Sequence, residues 1–470
     1  MRITCLSTYG GHAGGAAVAM HRLAAALETA GATVTVVARQ GPGAAGIGSE
    51  ALWRAAERRI RRRIRHGRTA LSNTLFSADW PAWNVADQPA VRDADVIHVH
   101  WVAGFLDAEA IRRLIGTGKP VVWTQHDLRA VTGGCHYAAG CTGFQTACTA
   151  CPQLAPPLHA VAERTLGRSR RRLRGRPLAF VAPSRWLAAE LARARLFDPT
   201  SHTLHVIPNG IDLDRYAPPA DKRAARSRLG LPPDGLAVLL GSVALDERRK
   251  GGDAAAAALE RFAAHCRRRG GPAPVAVTYG GGSLPLRGIT PRHLGPLDEP
   301  GVIAALHACD VHLTMTREDN LPNTVVEALA CGLPVVGTAV GGLPEMVASG
   351  VEGWLVSPDD PAAAAAALDR LAEDAEVVRA TAQAARRRAL ADFDARLQAR
   401  RHLELYRDLA RPTASRSAAD PLPAAPRLLA PTPAAATLLG PGPIVRRARR
   451  RLRRLLRRVA RSPATPGAGA

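Results

Sequence analysis

Two carboxylates stand eight residues apart in the segment 319–327, Asp319-Asn320-Leu321-Pro322-Asn323-Thr324-Val325-Val326-Glu327. Proline suits the first turn of a helix and a nearby asparagine can cap it, so we predict a helix that begins here. Asp319 then lies in the preceding loop, and Glu327 lies more than a turn inside the helix. Both can accept hydrogen bonds from ligand hydroxyls, and the helix N-terminus between them suits a diphosphate. The alternative is an ordinary capped helix with a surface glutamate.

A glycine-rich loop near the N-terminus offers further groups for an anionic ligand. Residues 10–16, which include Gly14 and Gly15, follow a strand-like segment and precede a helical one. Glycines let backbone amides approach a ligand closely, and the helix N-terminus favours negative charge. The spacing differs from the dinucleotide fingerprint, and the next strand ends in Val37-Ala38-Arg39 without an acidic residue. A nicotinamide cofactor is therefore disfavoured.

Four of the eight cysteines lie within 17 residues, inside the loop 133–153: Cys135, Cys141, Cys148 and Cys151. Four thiolates suit tetrahedral Zn²⁺, and the last two cysteines have the common spacing of zinc ligands. We expect a structural zinc ion that closes this loop. The alternative is a set of reduced thiols or a disulfide pair.

The elements that must position these groups follow an α/β pattern. The chain has 470 residues, of which 47% are apolar, so it can bury a core, and its length suggests two or three domains. Short apolar runs alternate with longer helical stretches, which indicates parallel sheets buried on both faces. The turn at 208–212, Pro-Asn-Gly-Ile-Asp, marks the boundary between two such units.

The charge is unevenly distributed. The chain carries 63 basic and 40 acidic residues, a net charge of +23. Residues 54–68, 163–176 and 411–470 contribute +7, +6 and +12, so the remainder is close to neutral. No apolar run is long enough to cross a membrane, and no secretory signal is visible, so we expect a cytoplasmic protein.

The last 60 residues differ in composition from the rest. Residues 411–443 are rich in proline, alanine and threonine, which predicts a disordered linker. Residues 444–461 place apolar side chains at helical spacing opposite ten arginines. This basic amphipathic pattern, which 52–65 shares, predicts peripheral attachment to an anionic membrane surface at the inner face. The alternatives are a solvated tail or a non-specific binder of polyanions.

Several motifs together resemble one enzyme family. The segment 319–327, its continuation to Gly337, and Gly341-Gly342-Leu343-Pro344-Glu345 resemble the donor-site signature of the family 4 retaining glycosyltransferases. Segments 95–101, 123–127, 183–187, 207–212 and 249–251 agree with this family. The resemblance covers roughly residues 1–410. The segment from Thr132 through the four cysteines resembles the branch of colanic-acid and other exopolysaccharide glycosyltransferases.

The resemblance implies the GT-B fold, in which two Rossmann-like domains face each other. The expected acceptor-side domain is 1–205 and the expected donor-binding domain is 206–393. A helix at 394–410 would return to the first domain, followed by the linker 411–443 and the basic tail 444–470. A zinc-closed loop would then help to shape the acceptor site.

The resemblance also implies roles for individual residues. Lys250 would hold the donor diphosphate together with Arg249. Asp319 would contact the donor sugar, Glu327 the ribose, and His126 would reach the transferred sugar from the first domain. The other expected donor-binding residues are Gly14, Gly15, Gly280, Gly281, Asn320, Asn323 and Thr324.

Two positions depart from the family pattern. Asp319 is one methylene shorter than the usual glutamate. The arginine that normally follows the glycine of the first C-domain strand is absent, because Gly241 is followed by Ser-Val-Ala. Arg248 or Arg249 is the hypothetical substitute for this phosphate contact.

The expected activity is transfer of a sugar from a nucleotide-diphosphate sugar to a glycan or lipid-linked acceptor in cell-surface polysaccharide synthesis. We expect retention of the anomeric configuration and no cofactor for catalysis, since no acidic pair resembles a metal site in the donor region. A nucleotide-sugar epimerase or a glycan phosphorylase is the alternative within the fold. A nucleic-acid-binding protein is a remote alternative, and the sequence shows no motif for specific nucleic-acid recognition.

Overall fold

The computed structural model describes residues 1–11, 14–41, 50–71, 74–78, 83–289 and 291–411, with only the backbone of 50–57. The predicted linker beyond Arg411 and the basic tail at 444–470 lie outside the described residues. Within the described part of the chain, no helix is both long and apolar enough to cross a bilayer.

The first half of the chain forms a six-stranded parallel sheet in the order β2-β1-β3-β4-β5-β6. Its strands are β1 (Arg2–Tyr9), β2 (Thr33–Gln40), β3 (Val96–Val99), β4 (Val121–Thr124), β5 (Leu178–Ala182) and β6 (His202–Val206). The continuous apolar runs predicted these strands because helices cover both faces of the sheet.

The second half forms another six-stranded parallel sheet, in the order β12-β11-β10-β7-β8-β9. Its strands are β7 (Ala237–Ala244), β8 (Val275–Gly281), β9 (Arg292–His293), β10 (Val311–Thr314), β11 (Val335–Thr338) and β12 (Gly353–Val356). The α/β prediction with parallel sheets is confirmed. The sequence missed β9 and β12, since β9 is two exposed residues and β12 is a short strand that starts at a glycine.

Fourteen α-helices connect and cover the strands in the described part of the chain. They are α1 (Gly15–Thr29), α2 (Glu50–His66), α3 (Pro89–Asp93), α4 (Ala108–Ile115), α5 (His159–Leu173), α6 (Arg185–Arg193), α7 (Lys222–Arg228), α8 (Gly252–Arg268), α9 (Glu299–Ala308), α10 (Asn323–Ala330), α11 (Leu343–Met346), α12 (Pro361–Glu373), α13 (Ala375–Asp392) and α14 (Ala395–Ala410).

Helix α14 packs on the first sheet although it follows the second one. Leu403 and Tyr406 are buried in the same apolar cluster as Ile3 and Leu23. The Tyr406 hydroxyl also lies 2.7 Å from Nδ1 of His98 on β3. The end of the chain's described part therefore ties the two halves together.

Part of the apolar side of helix α2 packs inside the protein. Ile64 is buried in the core of the first half, and Ile60 packs against that core. The six arginines between residues 58 and 65 include none that is buried. At this end of the helix the apolar side chains face the protein's own core, so they are not available to a lipid surface.

Candidate active site

A cavity of about 670 Å³ lies between the two sheets, at the carboxyl ends of their strands. Ligands of parallel α/β sheets bind at such ends. Nine residues singled out from the sequence line this cavity: Gly14, Gly15, His126, Arg249, Lys250, Asp319, Asn320, Asn323 and Thr324.

Asp319 is the most densely contacted carboxylate in this cavity. Its Oδ2 accepts from Nζ of Lys250 at 2.7 Å and from Nη1 of Arg249 at 3.0 Å. Its Oδ1 accepts from the Tyr137 hydroxyl at 3.3 Å. Burial alone would raise the pKa of Asp319, but the two cations outweigh it and hold that pKa well below its ordinary value. The carboxylate is therefore ionised throughout the physiological pH range.

Arg249 contacts Tyr137, Glu247 and Asp319. Its guanidinium stacks on the Tyr137 ring at 4.0 Å and pairs with Glu247 at 2.9 Å. Burial opposes its charge, yet the neighbouring Tyr137, Asp319 and Glu247 raise its pKa. Arg248 points elsewhere and donates to the Ala70 carbonyl at 3.2 Å. Of the two arginines considered as substitutes for the missing phosphate contact, only Arg249 lines this cavity.

A glycine allows α8 to start immediately after Lys250. Gly251 has φ +66°, and a Cβ atom there would lie 1.8 Å from the Met315 carbonyl oxygen. No residue with a side chain fits that turn without displacing the backbone of the loop after β10.

Two helix N-termini meet at the edge of the cavity. Helix α1 begins at Gly15 and α10 begins at Asn323, and Nδ2 of Asn323 donates to the Gly15 carbonyl at 2.9 Å. The first backbone N–H groups of a helix have no partner within the helix and carry its positive partial charge. With Lys250 and Arg249, these termini supply positive groups that suit a diphosphate, although carboxylates such as Glu247 and Asp319 also line the cavity.

His126 enters the cavity from the first half, after β4. Its Nε2 lies 3.2 Å from Nδ1 of His100. Burial lowers the pKa of His126 to about 4, against the opposing charge of Asp127. The imidazole is therefore neutral at pH 7 and can exchange a hydrogen bond with a hydroxyl without carrying charge.

Three residues that line the cavity beside His126 were not singled out from the sequence: Trp101, Asp127 and His136. The Asp127 carboxylate lies 2.6 Å from Nδ1 of His136 and accepts from the Trp101 indole at 2.8 Å. Tyr137 follows directly and reaches Asp319. A signal existed, since Trp101, Asp127 and His136 all stand just after strands or in the cysteine-rich loop, but spacing alone cannot reveal that they meet.

Glu327, Gly280 and Gly281 do not line the cavity. Glu327 is buried beside α1, where Arg22 donates to its Oε1 at 2.8 Å. Gly280 and Gly281 end β8, and a Cβ atom on Gly280 would lie 1.6 Å from the Ser242 carbonyl oxygen. Gly280 thus permits the close approach of β7 and β8, and its place in the nucleotide site stays a prediction.

The cysteine-rich loop borders a second, adjoining cavity of about 560 Å³. Tyr137 and Arg249 line both cavities and so form part of the wall between them. Trp186 of α6 and Glu318 also line the second one. The four cysteines themselves surround a separate space of about 10 Å³.

In the described residues, one group of three potential metal ligands has all its donor atoms within 4.8 Å: Cys5, His98 and His100. His98 already uses both nitrogens, one 2.7 Å from the Thr124 hydroxyl and the other 2.7 Å from Tyr406. His98 therefore has no nitrogen left for a metal, and we interpret the group as part of the buried core.

Two family models match the chain. The model described as Glycosyltransferase Family 4 matches residues 13–215, and that described as Glycosyl transferases group 1 matches residues 241–374. The chain belongs to glycosyltransferase family 4. This confirms the resemblance drawn from the segment 319–345 and the motifs that agree with it.

Named relatives are found among other glycosyltransferases of the family. The chain is 35% identical over 208 residues to D-inositol 3-phosphate glycosyltransferase of Xylanimonas cellulosilytica, covering 42% of this chain and 49% of that protein. It is 30% identical over 262 residues to the putative colanic acid biosynthesis glycosyl transferase WcaC of Escherichia coli, covering 53% and 60%. The chain thus spans about half the length of the relatives it matches.

Solved structures share the fold. HepE of Anabaena, solved in complex with UDP-glucose, superposes with a TM-score of 0.55 at 18% identity, covering 86% of this chain and 99% of HepE. The expected GT-B architecture is confirmed.

Proposed function

We propose that this family 4 glycosyltransferase moves a sugar from a nucleotide-diphosphate sugar to a glycan or lipid-linked acceptor, with retention of configuration and without a catalytic metal. One observation carries the proposal: Lys250 and Arg249 bind the buried carboxylate of Asp319 in a cavity that the first residues of α1 and α10 also line.

The charges suit the departure of a nucleoside diphosphate. Breaking the anomeric C–O bond leaves negative charge on the diphosphate, and fixed positive groups stabilise it most when water is excluded. Lys250, Arg249 and the first amides of α1 and α10, which line one cavity, supply that charge. Asp319 then contacts the donor sugar, as the family resemblance implies.

Retention follows in this proposal from attack on the same face that the diphosphate leaves, within a close ion pair. A double displacement would need a free carboxylate beneath the sugar. Asp127, which lines the cavity beside His126, is already engaged by His136, Trp101 and the Arg129 amide, which supports a positioning role for it. Neutral His126 contacts the sugar in this arrangement.

The donor is best tested with UDP-sugars first, because HepE, which shares the fold, was solved with UDP-glucose. The experiment measures thermal stabilisation and donor hydrolysis with UDP-, GDP-, ADP- and dTDP-sugars, before and after chelation. We expect one nucleotide class to stabilise the protein and to be hydrolysed slowly, with hydrolysis unchanged by chelation. A strict requirement for added Mg²⁺ or Mn²⁺ would refute the metal-independent mechanism.

Product analysis separates the remaining alternatives. Transfer requires an acceptor, an epimerase converts the donor alone, and a phosphorylase consumes free phosphate. Acceptor assays should compare a lipid-linked glycan and inositol phosphate as separate acceptors, since the named relatives include both a putative colanic acid enzyme and inositol-phosphate enzymes. NMR of the product's anomeric proton gives the stereochemistry, and an inverted product would contradict retention.

A further inference from the structure

The cysteine-rich loop surrounds a space that fits one ion. Cys135, Cys141, Cys148 and Cys151 all line the same cavity of about 10 Å³. Phe144 lines it as well, and three of the four thiols are buried. None of the cysteines in the described residues forms a disulfide. Four sulfurs have therefore been gathered around one small enclosed volume without being joined covalently.

Backbone amides are aimed at these sulfurs. The Gly143 amide donates to Sγ of Cys141 at 3.3 Å. The Gly133 amide favours the charged form of Cys148, and the amides of residues 153 and 154 favour that of Cys151, although burial outweighs them and raises the pKa of both thiols. A neutral thiol is a weak acceptor, whereas a thiolate, the form that binds metal, is stabilised by such donors. A metal that binds these sulfurs as thiolates would therefore find backbone donors already beside them.

The same loop stores backbone strain. Only three non-glycine residues in the described chain have positive φ, and two of them are Ala139 (+50°) and Cys148 (+53°) in this loop. Such conformations persist where the surroundings over-determine them. A metal that binds four points of the loop supplies that constraint.

We propose that Cys135, Cys141, Cys148 and Cys151 bind one structural Zn²⁺, and that this ion fixes the loop that bridges to the donor-site carboxylates. The sulfurs stand wider apart than in a filled site, since no three of them lie within 4.8 Å of one another. Zinc binding therefore requires the four thiol side chains to move inward to the Zn–S distance of about 2.3 Å.

Residues between Cys135 and Cys141 connect the cysteine-rich loop to the carboxylates of Glu318 and Asp319. The amides of Ala138 and Ala139 donate to the two carboxylate oxygens of Glu318 at 3.1 and 2.8 Å. Tyr137 donates to Asp319 and carries the Arg249 guanidinium on its ring. The metal would therefore act as a positioning centre, because three of the five residues between its first two ligands contact Glu318, Asp319 and Arg249.

The primary test is metal content of the full chain, purified without added metal. We expect about one zinc ion per chain, consistent with a four-ligand site. The Cys148→Ser and Cys151→Ser proteins should lose it. Cys266→Ser, in α8, is the control for losing any cysteine, and Cys5→Ser is the control for the core group with His98 and His100. Both should keep the metal.

Cobalt gives a readout that does not depend on a variant's stability. Replacement of the ion by Co²⁺ in the wild-type protein should produce thiolate-to-metal charge transfer and the strong visible bands of a tetrahedral site. Protein free of zinc and without these bands overturns the proposal. Loss of the metal in Cys5→Ser but not in Cys151→Ser overturns it too.

The positioning role rests on the proposed function and is tested separately. Removal of the metal should raise the donor KM roughly ten- to a hundredfold, the scale at which misplaced positioning groups act, and re-addition of Zn²⁺ should restore it. An unchanged KM in metal-free protein refutes the positioning role. A protein that binds zinc but transfers no sugar refutes the proposed function while the metal site stands.

Discussion

At the scale of single residues, the site is organised around Asp319. The side chain is one methylene shorter than the family's usual glutamate, and four donors already surround it: Lys250, Arg249, Tyr137 and its own neighbour's amide. A longer side chain would have to displace some of them. The short side chain of Asp319 therefore matches the positions of its four donors.

Lys250→Ala should lower kcat roughly 10²–10³-fold, because it removes one fixed charge at the point where diphosphate charge develops. Lys222→Ala is the matched control, since Lys222 pairs with Asp310 on the protein surface away from the cavity. Steady-state transfer or donor hydrolysis measures both. Full activity in Lys250→Ala would contradict the assigned role.

Arg249→Ala should weaken binding of the nucleoside diphosphate about ten- to a hundredfold, the range expected for a lost charged hydrogen bond. Arg248→Ala should leave it unchanged, because Arg248 bonds to Ala70 outside the donor cavity. Titration calorimetry with the diphosphate compares the two proteins. Equal losses in both would show that the neighbouring arginines share the phosphate contact.

At the scale of elements, side chains from one half cap elements of the other. The Glu345 carboxylate accepts from the amides of Arg185 and Trp186 at 2.8 and 2.7 Å, so it caps α6 across the cleft. Ser184 likewise bonds Asn320 at 2.6 Å. The signature segments at 183–187 and 341–345 are thus two sides of one contact.

Glu345→Ala should lower the free energy of unfolding by about 1–2 kcal/mol and speed amide exchange at the start of α6, because two first-turn amides lose their acceptor. Asp221→Ala removes a cap of similar cost from α7, within the second half alone. It should destabilise the protein without affecting α6. Unchanged exchange of the Arg185 and Trp186 amides in Glu345→Ala would refute the contact.

At the scale of the whole molecule, buried histidines make stability depend on pH. Burial lowers the pKa values of His126, His312 and His402 to about 4, against 6.5 for the free side chain. Between these values the unfolded chain binds protons that the folded chain does not. Stability is therefore lost as the pH falls through this window.

From pH 7 to pH 5, each of these three histidines should lower the free energy of unfolding by about 2 kcal/mol. Burial also lowers the pKa values of His98, His100, His202 and His205, which adds to this loss. Burial raises the pKa values of Glu318 and Glu327, which opposes it. Urea denaturation at pH 5, 7 and 8 measures it. Equal stability at pH 5 and pH 7 would contradict the neutral, buried state of these side chains.

Removal of residues 411–470 should leave transfer to a soluble acceptor intact and reduce binding to vesicles that contain anionic lipid. These residues carry a net charge of +12, and each arginine near such a surface contributes about 1 kcal/mol. Vesicle sedimentation of both proteins, at low and high salt, gives the comparison. Equal sedimentation of the shortened chain would show that the tail is not the attachment.

The sequence by itself determined the α/β class, the parallel strands, most strand positions and nine of the residues that line the cavity between the two sheets. It could do so because buried parallel strands need continuous apolar runs and because helix N-termini and glycines have local signatures. Only the tertiary structure decided that Tyr137 donates to Asp319 and that Arg22 pairs with Glu327. It also decided that Arg249 lines the cavity, whereas Arg248 bonds to Ala70 instead. These contacts join residues far apart in the chain, and no local periodicity encodes which side chains meet when two sheets close on each other.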